Sequence, residues 1–301
     1  MPELVLAFLA GLLIGSFLNV CIFRLPRDLS VASPARSFCP GCETTIAWYD
    51  NIPLLSYLLL GGKCRVCRER IPLRYPIVEL VTGVAFTYAA AKYGLTLPAL
   101  KYCIFFAILI DLVATDIEER ILPDEFTLGG TLVGLVLAWI VPLDPDIAAL
   151  IFAINGATPD PRWISVTEAA LGAGFSSGMI WFVAWVYEKV RHREGMGFGD
   201  VKMMAMIGAF LGLKLVLLTL ILASLLSVAC GPFYALLAKG RLRRRLSRFL
   251  YRGESKPKRI RATVAVITRY QLPFGSFLGV TAVIVSQWGS QIGDWYMRLG
   301  T

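Results

Sequence analysis

Residues 4–23, LVLAFLAGLLIGSFLNVCIF, carry no charged side chain, and a run of that length decides the solvent in which the chain folds. A helix rises about 1.5 Å per residue, so about twenty residues cover the roughly 30 Å hydrocarbon core of a bilayer. Further apolar runs at about 76–92, 98–115, 126–142, 168–189, 201–213, 215–238 and 271–290 bring the expected number of spans to eight. Hydrophobic residues make up 56% of the 301, against about 45–50% in ordinary globular chains. In lipid every backbone group must find an internal partner, which selects helices here. The expected fold is an all-α polytopic membrane protein. The first run lacks a basic flank before it and an A-x-A cleavage site after it, and Arg24 and Arg27 follow it, so it reads as a retained anchor. The sixth run is short, roughly 20 Å as a helix. It is expected to cross nonetheless, with Lys214 snorkelling at its far end, because otherwise the most basic segment would lie outside.

Net charge is +9, and its placement carries the information. Residues 239–269 hold twelve Lys or Arg against one Glu. The segment Arg24–Arg74 holds eight basic residues, and EKVRHR ends the fifth run. The positive-inside rule puts these three on the cytoplasmic side. The stretch PLDPDIAALIFAINGATPDPRWIS, whose one base is Arg162, falls outside together with the N-terminus. The divisions expected are a first span (1–23), a cytoplasmic cysteine-bearing segment (24–75), a membrane core (76–238), a basic cytoplasmic loop (239–270) and a last span with its tail (271–301). The loop interleaves Leu242, Leu246, Phe249, Leu250 and Tyr251 with its bases, a pattern suited to a helix lying on anionic lipid. Membrane lipid is the expected partner, and nucleic acid is not.

Carboxylates at membrane depth are costly and commonly line a site. Asp116 closes the third run in LIDLVATDIEERILPDEFTLGG, and Asp200 opens the sixth in GMGFGDVKMM. Two crossings separate them, so both belong at the cytoplasmic face. Two close carboxylates share a proton and titrate as a pair, so one can act as base toward water while the other acts as acid toward a carbonyl. Gly195, Gly197 and Gly199 would free the backbone and let a second chain approach. Read without function, Asp200 is a helix N-cap and Asp116 a solvated interfacial charge. Asp111 competes with Asp116 for the role, and so does Asp124, which after Pro123 also reads as an N-cap.

Cys39-x2-Cys42 and Cys64-x2-Cys67 have the spacing of a zinc ribbon, with Lys63, Arg65, Arg68 and Arg70 placed to offset four thiolates. The alternative, two disulfides, fits poorly with a cytoplasmic loop. Four closed ligands leave no position for water, so the zinc would be structural. Cys21, Cys103 and Cys230 lie in apolar runs and read as small buried hydrophobes. Arg24, Asp50, Asn51 and Glu79 flank the cysteine segment without an evident role. His192 has no second histidine to work with, no HExxH or G-x-G-x-x-G unit is present, and no G-x-S-x-G elbow is read, the string GFSSG (174–178) lying inside an apolar run.

DIEERILPDEFT (116–127) and GMGFGDVKMMAMIGAFLG (195–212) resemble the two signature regions of type IV prepilin peptidases, membrane aspartic proteases of the bacterial cytoplasmic (inner) membrane. GSFLNVCIFRLP (15–26), the two CxxC pairs, WYDNIPLLSYLLL, IPLRYPIVELVTG and LPFGSFLG (272–279) extend the likeness over most of the chain. The resemblance implies Asp116 and Asp200 as the catalytic pair, a frequent family position at Lys202, and prepilins and pseudopilins as substrates. It also implies N-methylation of the new amino terminus with S-adenosylmethionine. Two rivals are a proton-relaying transporter, which would call for midplane sites in an inverted repeat, and a zinc-bearing scaffold without chemistry.

Overall fold

The computed structural model describes residues 1–156, 158–192, 197–250 and 273–299, apart from the side chains of 232–250, 293, 294, 296, 297 and 299. Nine helices follow one another in this part: α1 (Pro2–Arg24), α2 (Leu55–Leu59), α3 (Arg74–Tyr93), α4 (Leu97–Glu118), α5 (Asp124–Ile140), α6 (Ile147–Ile154), α7 (Pro161–Arg191), α8 (Phe198–Leu250) and α9 (Phe274–Leu299). No strand is present among the described residues, and extended pairing is confined to two isolated bridges in the cysteine segment.

Each of the eight apolar runs is helical over its described residues, save Pro273 and the last two of 126–142, but among the described residues four helices are by themselves long and apolar enough to cross a membrane: Pro2–Arg27, Leu97–Glu118, Pro161–Arg191 and Phe198–Gly231. The fold is thus that of a multi-pass helical membrane protein, with four spans supported by length and hydropathy where eight were expected. The difference has visible causes. The 17-residue α5 is short, α3 carries Glu79, Thr82 and Lys92, and α9 carries Ser286 and Gln287. The sixth and seventh runs are one helix interrupted at Gly212 (φ 78°, ψ 177°), a conformation closed to residues with a side chain. Buried Glu168 of α7 accepts from the N–H of Leu213 (3.1 Å), where α8 restarts after this break, and from the N–H of Ala148 (2.8 Å) in the first turn of α6. Lys214, just beyond, is exposed and reaches Asp146 at 3.7 Å.

Without a hydrophobic drive between helices in lipid, close packing depends on small residues. Gly11 and Gly15 of α1 lie on α3 so tightly that an added Cβ would sit 2.7 Å from the Cα of Gly83 and of Glu79. Gly172 of α7 and Gly208 of α8 make a second such seam, backbone against backbone. Ser176 reinforces it by donating to the carbonyl of Met204 (3.2 Å). The main core lies between these seams, where Phe105 of α4 stacks on Phe210 of α8 at 4.7 Å and Met203, Met204 and Met206 are fully buried.

At one end of the bundle the last turns of α1 and α4 meet the first turns of α3, α5, α8 and α9. Ion pairs Arg27–Glu119 and Arg74–Glu118 tie the α4 terminus to the start and end of the cysteine segment. The helix of α8 continues through Leu250, and the rest of the basic loop 239–270 lies outside the described residues, as does Gly195.

Candidate active site and candidate metal centre

Asp116 sits in the last turn of α4 and is buried; Asp200 sits in the first turn of α8 and is half-buried. The third contributor is α9. The backbone N–H and the hydroxyl of Ser276 both donate to Asp116 Oδ2 at 2.6 Å, so the positive end of a helix faces a carboxylate. A Cβ on the preceding Gly275 would lie 3.2 Å from Asp116 Oδ2 and 3.2 Å from Asp200 Oδ1. The two carboxylates therefore share one small space, within twice that distance of each other, and a glycine keeps it open.

Asp200 is not an N-cap: its own N–H bonds the carbonyl of Gly197 (3.1 Å), one turn back. Neither Gly197 nor Gly199 uses a positive φ, contrary to the expected backbone freedom. Gly199 is needed for close approach instead, since a Cβ there would meet Leu122 at 3.1 Å, while a Cβ on Gly197 would lie 4.0 Å from Asp200 Oδ2. Asp124 does not cap α5 by side chain; it is the first helical residue and takes Lys202 Nζ at 2.6 and 2.8 Å. Lys202 is thereby committed to Asp124. Asp111 is fully buried, and neither carboxylate oxygen has a hydrogen-bond partner. It lies in the field of Arg74 and Glu125, on the side of α4 that faces α1 and α3, and does not join Asp116 and Asp200. Ser276 and Gly275 escaped the sequence reading. Their signal was the segment LPFGSFLG, a glycine and a serine at the start of an apolar run.

The cysteine segment is built from one local turn used twice. Phe38 pairs with Thr45 around the first CxxC, and Lys63 pairs with Arg70 around the second, at the same offsets from the cysteines. The residue after each second cysteine, Glu43 (φ 55°) and Arg68 (φ 61°), takes a left-handed conformation to close the turn. All four sulfurs lie within 4.8 Å of one another, and Cys39 and Cys67 are 3.7 Å apart. Four sulfurs at about 2.3 Å from one metal stand about 3.8 Å apart, so the residues fit zinc. All seven cysteines are free, and the four sulfurs converge on one point rather than meeting in two pairs. The Thr44 hydroxyl, followed by the Thr44 backbone, pulls the Cys42 thiol down to about 6, and the N–H groups of Cys67 and Val66 lower that of Cys64. Both shifts favour thiolates, the form that binds metal, whereas at Cys67, against the pull of the Glu69 N–H, desolvation and the three neighbouring sulfurs push the thiol up. Arg65 does not screen the sulfurs as expected: it forms a two-point pair with Asp50 at 2.6 and 2.7 Å, which lowers the Asp50 carboxyl.

Arg24 is a structural clamp, its guanidinium donating to the carbonyls of Ser30, Val31, Pro34 and Arg36. His192 is the exposed, left-handed cap at the end of α7 (φ 53°). Cys21 is buried and Cys103 half-buried as expected, whereas Cys230 is exposed on the apolar surface of α8.

Residues 9–93 match the model of the bacterial peptidase A24 N-terminal domain, and residues 103–231 match that of the type IV leader peptidase family. The chain is similar to proteins named prepilin leader peptidase/N-methyltransferase in three organisms. That of Myxococcus xanthus is 39% identical over 79% of this chain and 64% of its own length. That of Klebsiella pneumoniae is 38% identical over 72% and 89%, and that of Aeromonas hydrophila 31% over 97% and 93%. No solved structure gives a significant match. Two matched models covering most of the chain, with relatives matched over nearly their full length, place it in the type IV leader peptidase family.

Proposed function

We propose that Asp116 and Asp200 are the catalytic pair with which this chain, a protease and N-methyltransferase by family, removes the short basic leader from type IV prepilins and pseudopilins. The observation that carries this reading is the shared space at Gly275, where an added Cβ would lie 3.2 Å from an oxygen of each carboxylate and where this reading puts the attacking water. One aspartate takes a proton from that water as its oxygen attacks the scissile carbonyl. The other gives a proton first to the carbonyl oxygen, and the departing amine is then protonated as the C–N bond breaks. Ser276 holds Asp116 in orientation throughout. Gly197, whose Cβ position lies 4.0 Å from Asp200 Oδ2, and Gly199 line the approach for an extended substrate.

A prepilin leader is basic and its following segment apolar, so the cut falls where the chain enters the bilayer. That depth matches a pair carried on the last turn of one helix and the first turn of another. The positive-inside pattern puts this end of the bundle in the cytoplasm, in the inner membrane, with lipid as the surrounding partner. Zinc, held by Cys39, Cys42, Cys64 and Cys67, is structural: with all four positions filled by thiolate it fixes the loop and binds no water. Methylation of the new amino terminus draws on S-adenosylmethionine. The comparisons give a transporter no support.

The test is to incubate the purified protein, in detergent or nanodiscs, with a synthetic prepilin and to follow both products by mass spectrometry. Cleavage at the leader junction is expected, with a further 14 Da on the mature chain when S-adenosylmethionine is present. An intact prepilin after incubation with active-form zinc-loaded enzyme sinks the peptidase reading.

A further inference from the structure

Residues 52–62, IPLLSYLLLGG, carry no charge, yet they belong to the segment between α1 and α3 that holds the cysteines. An uncharged run of this length is too short to span a bilayer and suits an element that dips into one and returns. Its helix, α2, presents Leu55, Leu58 and Leu59 on one face, at positions three and four residues apart, and these side chains are 50%, 74% and 76% exposed. A face that apolar is a contact surface rather than a surface for water.

The depth of the element follows from its anchor. Glu79 Oε2 of α3 accepts from the Leu54 N–H at 2.8 Å, and the Ser16 hydroxyl of α1 donates to the same carboxyl group. Ser16 stands eight residues short of Arg24, the end of α1, which is about 12 Å along the helix axis. The headgroup layer on each side of a bilayer is about 5–8 Å thick, so α2 begins below it. Leu13 and Phe17 of α1, and Ile77, Leu80 and Val81 of α3, flank that level along their own helices and are exposed as well. Outward apolar side chains are thus already the rule at this depth.

Lipid also requires that backbone groups find partners within the chain. The N–H of Ile52 donates to Ser56 Oγ (3.0 Å) and that of Leu54 to Glu79. The N–H groups of Ser56, Leu58 and Leu60 donate to carbonyls four residues back, and those of Gly61 and Gly62 close the turn onto Leu58 and Tyr57. The chain enters α2 through Leu54 at φ 60°, a strained conformation for a residue with a side chain, and the bond to Glu79 holds it there.

We propose that residues 52–62 are a re-entrant element seated in the leaflet on the side of Asp116 and Asp200, with Leu55, Leu58 and Leu59 against lipid acyl chains. The other side of α2, with Ser56, Tyr57 and Leu60, lines a cavity of about 580 Å³ between the cysteine segment, α1 and α3. One thin element therefore separates that cavity from lipid, and it ties the cysteine segment to the membrane at a third place besides its two covalent ends.

The test uses the full wild-type chain in nanodiscs of phosphatidylcholine and phosphatidylglycerol, doped in separate preparations with phosphatidylcholine bearing a photoreactive diazirine in the acyl chain or on the headgroup. After irradiation, peptide mass spectrometry is expected to find acyl-chain adducts on residues 55–59, in about fivefold or greater excess over headgroup adducts. Hydroxyl-radical footprinting of the same nanodiscs should leave Leu58 and Leu59 unoxidised. Oxidised leucines without adducts overturn the proposal, and so does an excess of headgroup adducts, which would put the element on the membrane surface. Protection without adducts overturns it as well and gives the face to a protein; a mass of two chains by light scattering, falling to one in Leu58→Asp, would then identify a second copy.

Discussion

The cysteine quartet draws its ligands from residues 39–67 and from two copies of one turn, whereas the aspartate pair draws on α4, α8 and α9, with 160 residues between Asp116 and the serine that holds it. The first cluster is assembled by short hydrogen bonds within each turn, and the zinc proposed for it would add a binding free energy of about 10–16 kcal/mol as in small zinc units. The second exists only when the whole bundle has packed. A local cluster can therefore be lost alone, while the pair reports on every helix that meets at that end.

The largest effect separates them outright. Asp116→Ala or Asp200→Ala is expected to lower leader cleavage by about 10³-fold or more, as loss of a general acid or base does, with one zinc per chain retained in elemental analysis. Zinc loss in either variant would show that the clusters are coupled. Next, Cys39→Ser should release zinc and impair methylation more than proteolysis in the two-product prepilin assay. An equal loss of both would show that the zinc unit supports the whole enzyme.

A third change works inside the pair. Gly275→Ala places a methyl where both carboxylates converge, and cleavage rate should fall about 100-fold with the zinc site untouched. Ser276→Ala removes the hydroxyl donor to Asp116 but keeps the N–H, and hydrogen bonds to charged groups contribute about 1.5–3 kcal/mol. Single-turnover cleavage should slow by roughly ten- to a hundredfold. Smallest of all is Lys202→Ala, which breaks a partly exposed pair with Asp124 and should cost less than about 1 kcal/mol in thermal stability. A larger loss of cleavage there would tie Lys202 to the pair after all.

What could be read from the sequence follows the same division. The cysteine spacing is a local signal, and it predicted the cluster in full. Asp116 and Asp200 were legible because each lies at the border between charge and an apolar run, and the parity of the runs put both at one end. Ser276 and Gly275 were not, since nothing local says that a serine at the start of α9 bonds a residue of α4. Asp111 looked equivalent to Asp116 for a similar reason: which side of α4 faces which neighbour is set by packing. Asp124 and Lys202 each had a plausible local role, and their pairing with each other overrode it. The eight runs were all helical, yet hydropathy alone could not say that two of them share one interrupted helix at Gly212.

The glycine seam between α7 and α8 has a mechanical consequence. Two backbones in direct contact cannot roll past one another without giving that contact up, so the rod bearing Asp200 is bolted to its neighbour. Opposite it, α9 touches Asp116 through a single serine. That helix is held as closely elsewhere, since a Cβ on its Gly279 would collide with Val113 Cγ2 of α4, so both walls of the pair stand fixed before anything enters between them.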